Sequence, residues 1–200
     1  MLAFCATPAL SVADGLDGNR YSDNEEIFSR EYASEISASA AYLATNPPKG
    51  FGKGQDSAVI IDVRTLEEYV GGHPPGAYSI PFPHIHNRSN KPGDGINYST
   101  EYIPQEPDDF VAAVDALGLP KDAQIITMCR TGARSVLAGN LLARAGYNNV
   151  QNMWEGSKAR WRQNLGNQDV DLDGDGEVDG SDPFSGDLDG WANFAGLPVS

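Results

Sequence analysis

The sequence predicts an α/β fold, a mostly parallel sheet flanked by helices in a single domain that carries an acidic loop insertion. Three observations predict it. Ala58-Val59-Ile60-Ile61-Asp62-Val63 and Gln124-Ile125-Ile126-Thr127-Met128 are short continuous apolar runs, the mark of strands buried on both faces of a parallel sheet. Amphipathic helical patterns alternate with these runs. The second run ends at Cys129, and a short loop and a helix follow at once. In open α/β sheets, ligands sit beyond the carboxyl ends of the strands, and Cys129 is at such an end. The chain has 200 residues, enough for one such domain with a proper core plus tails or insertions.

Taken in order, Met1 to Leu10 is apolar and uncharged, and Ser11-Val12-Ala13 has the small-x-small form of a signal-peptidase site. The expectation is the end of a secretory signal whose basic start is missing, hence export, to the periplasm, with a cytoplasmic protein as the alternative. Cleavage after Ala13 leaves Cys129 as the single thiol, which no internal disulfide can protect. Residues 14–34 read as a polar, mobile arm. Ile36 to Ala44 suggests a helix capped by Ser37 or Ser39 and ended by Asn46-Pro47-Pro48. After the strand at 58–63, Thr65 with Glu68 three residues on forms a capping box. Gly71-Gly72-His73-Pro74-Pro75-Gly76 is a rigid turn, and Ala77 to Pro81 a short strand.

From Phe82 to Glu106 the prolines and glycines read as loop. His84 and His86 fall there, and the expectation is solvent-exposed loop histidines without a metal. Pro107 to Gly118 is an amphipathic helix with proline at its start and glycine at its end. Then come the strand ending at Cys129, a helix over Ser135 to Gly146, and a last strand at Asn149 to Met153.

The chemistry is concentrated at Cys129-Arg130-Thr131-Gly132-Ala133-Arg134-Ser135. Strand, tight loop and helix aim backbone N–H groups and a helix N-terminus at one point, which suits an anion. The helix dipole and the two arginines favour the thiolate form of a cysteine placed there. A buried, inert cysteine is the plain alternative, and the glycine and arginines argue against it.

Ile61-Asp62-Val63-Arg64, Glu68-Tyr69, Gly72-His73-Pro74-Pro75-Gly76-Ala77, the Cys129 loop, Ala145-Gly146-Tyr147 and the closing Gly196-Leu197-Pro198-Val199 follow one another in an order that resembles the rhodanese family of sulfurtransferases. The resemblance covers residues 35–200. It implies that Cys129 carries a persulfide in a two-step transfer of sulfane sulfur from an anionic donor such as thiosulfate to a thiophilic acceptor. It also implies a cradle formed by Arg130, Thr131, Gly132, Ala133 and Arg134. Arg134 is the better placed of the two arginines. Asp62 and Arg64 support the loop, and His73 belongs to a structural turn. No organic cofactor is implied, and the expected state is a monomer. Related cell-cycle phosphatases and arsenate reductases place five residues between cysteine and arginine. Here four separate Cys129 from Arg134, a tighter ring that favours sulfur.

An insertion over 157–187 interrupts this pattern. Within it, residues 171–182 place carboxylates alternately and a glycine sixth, as in the calcium loops of EF-hands and dockerins. Asp171, Asp173 and Asp175 are the expected side-chain ligands, Glu177 gives its carbonyl, Asp179 acts directly or through water, and Asp182 closes the shell. Asp182 stands where EF-hands usually have glutamate, and Pro183 disfavours an exiting helix. A single structural Ca²⁺ loop is therefore the expectation. The formal net charge of −14 argues against a nucleic-acid partner. No run beyond the N-terminus is long and apolar enough to span a membrane. The second functional reading is a calcium-dependent binding or sulfur-sensing module without fast turnover.

Overall fold

The computed structural model describes residues 29–47, 57–90, 99–130, 132–157, 190–191 and 197–200. The signal-like segment, most of the polar arm and the acidic loop lie outside the described residues.

Five strands form a parallel sheet: β1 (Ser34–Ile36), β2 (Val59–Asp62), β3 (Tyr78–Ser79), β6 (Ile125–Met128) and β7 (Val150–Met153), in the order β1-β7-β6-β2-β3. Every neighbouring pair is parallel, with Ile60 opposite Ile126 and Ile125 opposite Val150. The all-apolar reading of β6 holds because β6 lies between β7 and β2, and its four residues are buried. Central strands shed water on both faces, so alternation gives way to continuous apolar sequence.

The faces divide by the two-residue period of a strand. Ile61, Val63, Ile125, Cys129 and Val150 join a core with Phe110 and Val114 of α3 (Pro107–Asp115) and Val136 and Leu142 of α4 (Ala133–Arg144). Ile60, Ile126, Met128 and Met153 join Ala38 and Ala41 of α1 (Ala38–Thr45) and Trp191 on the other face. Burying a side chain such as Phe110 fully contributes about 2–3 kcal/mol against leaving it in water. Ser37 is the N-cap of α1, its hydroxyl accepting from the Ala40 amide. The capping box of α2 (Leu66–Val70) forms as expected between Thr65 and Glu68.

Two readings change. The stretch from Phe82 to Glu106 is not loop throughout: β4 (His84–Asn90) and β5 (Ser99–Pro104) pair antiparallel as a separate two-stranded sheet. The prolines and glycines of this stretch of sequence hid two strands that pair with each other and not with the main sheet. His84 is correspondingly not a solvent-exposed loop residue, being 5% exposed. The end of the polar arm is also docked. The Asn140 side chain accepts from the Glu31 amide at 2.9 Å and donates to the Ser29 carbonyl at 2.7 Å, and Tyr32 is buried against Gly139. That fixed segment leads into β1, the edge strand that pairs with β7. No helix among the described residues is long and apolar enough to cross a membrane.

Candidate active site

β6 delivers Cys129 to the site. Ile125, Thr127 and Cys129 share one strand face, the face that α4 covers. The Thr127 hydroxyl donates to the Ser135 carbonyl at 3.0 Å, tying the strand to the first turn of α4. The strand end is held from its other side by β2, where the Val63 amide donates to the Met128 carbonyl at 2.8 Å.

Cys129 is a free thiol and 1% exposed. The Ser135 hydroxyl lies 3.5 Å from its Sγ and 3.0 Å from the Gly132 carbonyl oxygen. A hydroxyl carries one proton, so it donates to the carbonyl and to the sulfur in competition. Gly132 is the N-cap of α4 and makes no side-chain capping bond. The first amides of α4 thus have no partner within the helix, and they carry the positive end of its dipole. Gly132 has φ +85°, and a Cβ built on it would stand 2.3 Å from the Trp154 carbonyl oxygen. Both the left-handed backbone and the close approach require glycine there.

The two arginines play different parts. Arg134 gives both terminal nitrogens to Glu68, Nη1 to Oε2 at 2.7 Å and Nη2 to Oε1 at 2.8 Å. The same carboxylate accepts from the Thr65 amide at 3.1 Å. Burial pushes the Glu68 carboxyl upward, but the Arg134 hydrogen bonds and charge, with the Thr65 amide, outweigh it and hold the group below its ordinary range. Arg130 is exposed at the loop, and Thr131 lies outside the described residues. Ala133 is half-buried as the first residue of α4.

Asp62 and Arg64 form a buried pair, with Nε to Oδ1 at 2.9 Å and Nη2 to Oδ2 at 2.6 Å. Arg64 Nη2 also donates to the Gly72 carbonyl at 2.7 Å, so the pair fastens the glycine-proline turn to the end of β2. His73 is structural in that turn: its backbone exchanges two hydrogen bonds with Ser200, and its ring stacks on Tyr69 at 3.6 Å.

Three contributors were missed in the sequence. His84 is buried, and burial together with the Arg134 charge lowers its pKa to about 4. His86 Nδ1 lies 2.8 Å from Glu67 Oε1, so the hairpin is fastened to α2 beside Glu68. The Ser157 amide donates to the Cys129 carbonyl at 2.8 Å. The alternation His84-Ile85-His86 was a visible strand signal. Nothing local marks Ser157, twenty-eight positions downstream of the cysteine.

The chain matches the rhodanese-like domain over residues 49–163, more than half of its length. It belongs to the rhodanese-like family. This rhodanese-like domain is 29% identical over 104 residues to thiosulfate sulfurtransferase 16, chloroplastic, of Arabidopsis thaliana, covering 52% of this chain and 73% of that protein. It is 28% identical over 114 residues to the uncharacterized protein RP600 of Rickettsia prowazekii, covering 54% of this chain and 80% of that one. Among solved structures it is similar to Rv0390 of M. tuberculosis, at 19% identity and TM-score 0.49 over 84% of this chain and 98% of that chain.

The structure of the rhodanese-like domain therefore brings together Cys129, Gly132, Ala133 and Arg134, and pairs Asp62 with Arg64 at the end of the neighbouring strand β2. Asp171, Asp173, Asp175, Glu177, Asp179 and Asp182 lie outside the described residues. Among the described residues, no group of three or more His, Cys, Asp or Glu is arranged to hold a metal ion.

Proposed function

We propose that the protein is a sulfurtransferase whose Cys129 carries sulfane sulfur from an anionic donor such as thiosulfate to a thiophilic acceptor. One observation carries this reading: the only described thiol stands at the carboxyl end of a central strand, at the uncapped N-terminus of α4, with a hydroxyl 3.5 Å away. In the first step the Cys129 thiolate attacks the outer sulfur of thiosulfate. The new S–S bond forms as the old one breaks, and sulfite leaves with the electron pair. The product is a cysteine persulfide anion, whose charge falls to the first amides of α4. In the second step the acceptor attacks the outer sulfur, and the thiolate is regenerated. Arg130 at the surface meets the incoming dianion. Arg134, held by Glu68, sets the loop's shape and contributes a field already half-neutralised. Family membership and the resemblance to a thiosulfate sulfurtransferase support the reading.

Intact mass after thiosulfate treatment tests it. The expected result is a gain of one sulfur atom in the wild type and none in Cys129→Ser, with thiosulfate–cyanide turnover lost in the same variant. A folded wild type that gains no sulfur from any sulfane donor overturns it.

The 1% exposure of Cys129 favours a second reading, in which the domain stores or senses sulfur without fast turnover. Slow loading that reaches one sulfur per chain, with no catalytic release to cyanide, would mark that case.

We also propose that residues 171–182 bind one structural Ca²⁺, with Asp171, Asp173, Asp175, Glu177, Asp179 and Asp182 as ligands. The support is the ligand spacing with Gly176 sixth. Without the ion these carboxylates repel one another. A chelator is expected to lower the melting temperature, and Asp171→Ala with Asp173→Ala to remove that difference. An unchanged melting curve in chelator sinks the site. Export through the segment ending at Ala13 belongs to the same proposal, and N-terminal sequencing of the mature protein tests it.

A further inference from the structure

The turn that follows β7 touches the sulfur loop twice. The Trp154 carbonyl packs against Gly132, leaving no room for a side chain there. The Ser157 amide donates to the Cys129 carbonyl at 2.8 Å. Between these contacts, the Gly156 carbonyl accepts from the Trp191 amide at 2.9 Å. Trp191 is itself fixed: it is 2% exposed, its indole N–H donates to the Pro198 carbonyl at 2.7 Å, and its ring meets Tyr42 edge-on at 5.9 Å. So Trp191, which lies beyond the insertion, is joined to the backbone of Cys129 by two hydrogen bonds and one peptide link.

What lies behind this turn is not packed solid. Among the described residues, a partly open cavity of about 60 Å³ is lined by Arg64, Gly72, His73, Ser157, Trp191 and Val199. Ser157 is 3% exposed, and its hydroxyl has no hydrogen-bond partner among the described residues. A turn that rests on a cavity gets little restraint from that side. The start of the turn is tied to β1 and α1, by the Trp154 amide to the Ile36 carbonyl at 3.3 Å and by the Ala38 amide to the Glu155 carboxylate at 2.6 Å. Its Gly156–Ser157 end is tied by the Gly156 amide to the Met153 carbonyl, by Trp191 and by the Cys129 carbonyl.

We infer that Trp191 is a positioning residue for Cys129, acting through Gly156 and Ser157 on the carbonyl of the cysteine. The inference rests on Cys129 as the sulfur carrier, but the placement of the thiol can be read without sulfur transfer. If the indole is removed, the turn settles into the cavity, the Cys129 carbonyl loses its donor, and the sulfur loses both its shielding and its alignment with the α4 amides. Two rates then move in opposite directions. Alkylation of Cys129 by iodoacetamide speeds up, because the thiol is uncovered. Persulfide formation from thiosulfate slows, because the cradle no longer fits.

The test compares Trp191→Ala, Trp191→Phe and Leu142→Ala well below each melting temperature. Leu142 is a fully buried residue of α4 that belongs to the core on the sheet face opposite Trp191, so its loss destabilises the fold without removing the indole or its seat. In Trp191→Ala, alkylation is expected to rise and persulfide formation to fall, each by about tenfold. Trp191→Phe keeps a buried ring and restores both rates to near the wild-type values. Leu142→Ala loses melting temperature with neither rate displaced in this paired way. Rates in Trp191→Ala that move no further than in Leu142→Ala overturn the inference. If Trp191→Ala does not fold, Tyr42→Ala loosens the seat of the same ring, and the same pair of opposed changes is expected at smaller size; unchanged rates there overturn it equally. A wild type that forms no persulfide refutes the sulfur-transfer reading alone, and the alkylation rates still decide the positioning of the thiol.

Discussion

Glu68 grips Arg134 through two parallel hydrogen bonds of 2.7 and 2.8 Å, while its own helix start uses the same carboxylate as a cap. One side chain thereby joins the first turn of α2 to the first turn of α4, sixty-six positions apart in sequence. Both partners are largely buried, with side-chain exposures of 12% for Arg134 and 24% for Glu68. Such forked, charge-assisted pairs fix geometry as well as energy.

Glu68→Ala removes the cap partner and leaves Arg134 facing the loop without its carboxylate. A loss of about 2–3 kcal/mol in stability is expected by denaturant titration. Glu68→Gln keeps a carbonyl oxygen for the Thr65 amide and is expected to lose less. Equal losses in the two variants would show that the ion pair with Arg134, not the cap, is what Glu68 supplies. The folded Glu68 carboxyl is held below its ordinary range, so its contribution is present above the unfolded pKa and lost as pH falls through the folded one.

His84 gives a second acid-sensitive contribution with a separate window. Its folded pKa is about 4 against an ordinary 6.5, because burial and then the Arg134 charge disfavour the imidazolium. The unfolded chain binds a proton that the native imidazole refuses. Stability is therefore full above pH 6.5 and declines as pH falls toward 4, by up to about 3 kcal/mol. Melting curves at pH 7.5, 6 and 5 should show this slope in the wild type and a shallower one in His84→Gln. Parallel slopes would mean that His84 is not the group responsible.

Gly132→Ala should be the most damaging single-methyl change in the loop. The new Cβ meets the Trp154 carbonyl oxygen at 2.3 Å on a backbone of φ +85°. The left-handed conformation alone costs about 1–3 kcal/mol for a non-glycine residue, and the clash adds to it. Sulfur loading is expected to disappear in any folded fraction, measured by intact mass. Gly118→Ala shares a positive φ but has nothing within 4 Å of its Cβ, so it should lose stability only and load normally.

Breaking the Asp62–Arg64 pair should cost more than replacing it. Asp62→Ala leaves a guanidinium 2% exposed and without its carboxylate, an expected loss of about 3–5 kcal/mol by denaturant titration. Asp62→Leu with Arg64→Met removes both charges and should recover much of that loss. If the double variant is as unstable as the single one, the pair's hydrogen bond to Gly72, not its charge balance, is what the fold needs.

The sequence by itself determined the strands, helices and chemistry that depend on near neighbours. The apolar run of β6, the Thr65–Glu68 box and the glycine at position 132 are each legible, because a strand period, a helix cap and a left-handed turn are set within a few residues. The cysteine's place at a strand end followed from the same local grammar. Only the tertiary structure decided that Glu68 holds Arg134, that His84 is buried beside that arginine, and that Ser157 reaches the Cys129 carbonyl. Those contacts span 66, 50 and 28 positions. A pairing at that range is chosen by how the sheet orders its strands, and no pattern within either segment encodes its distant partner.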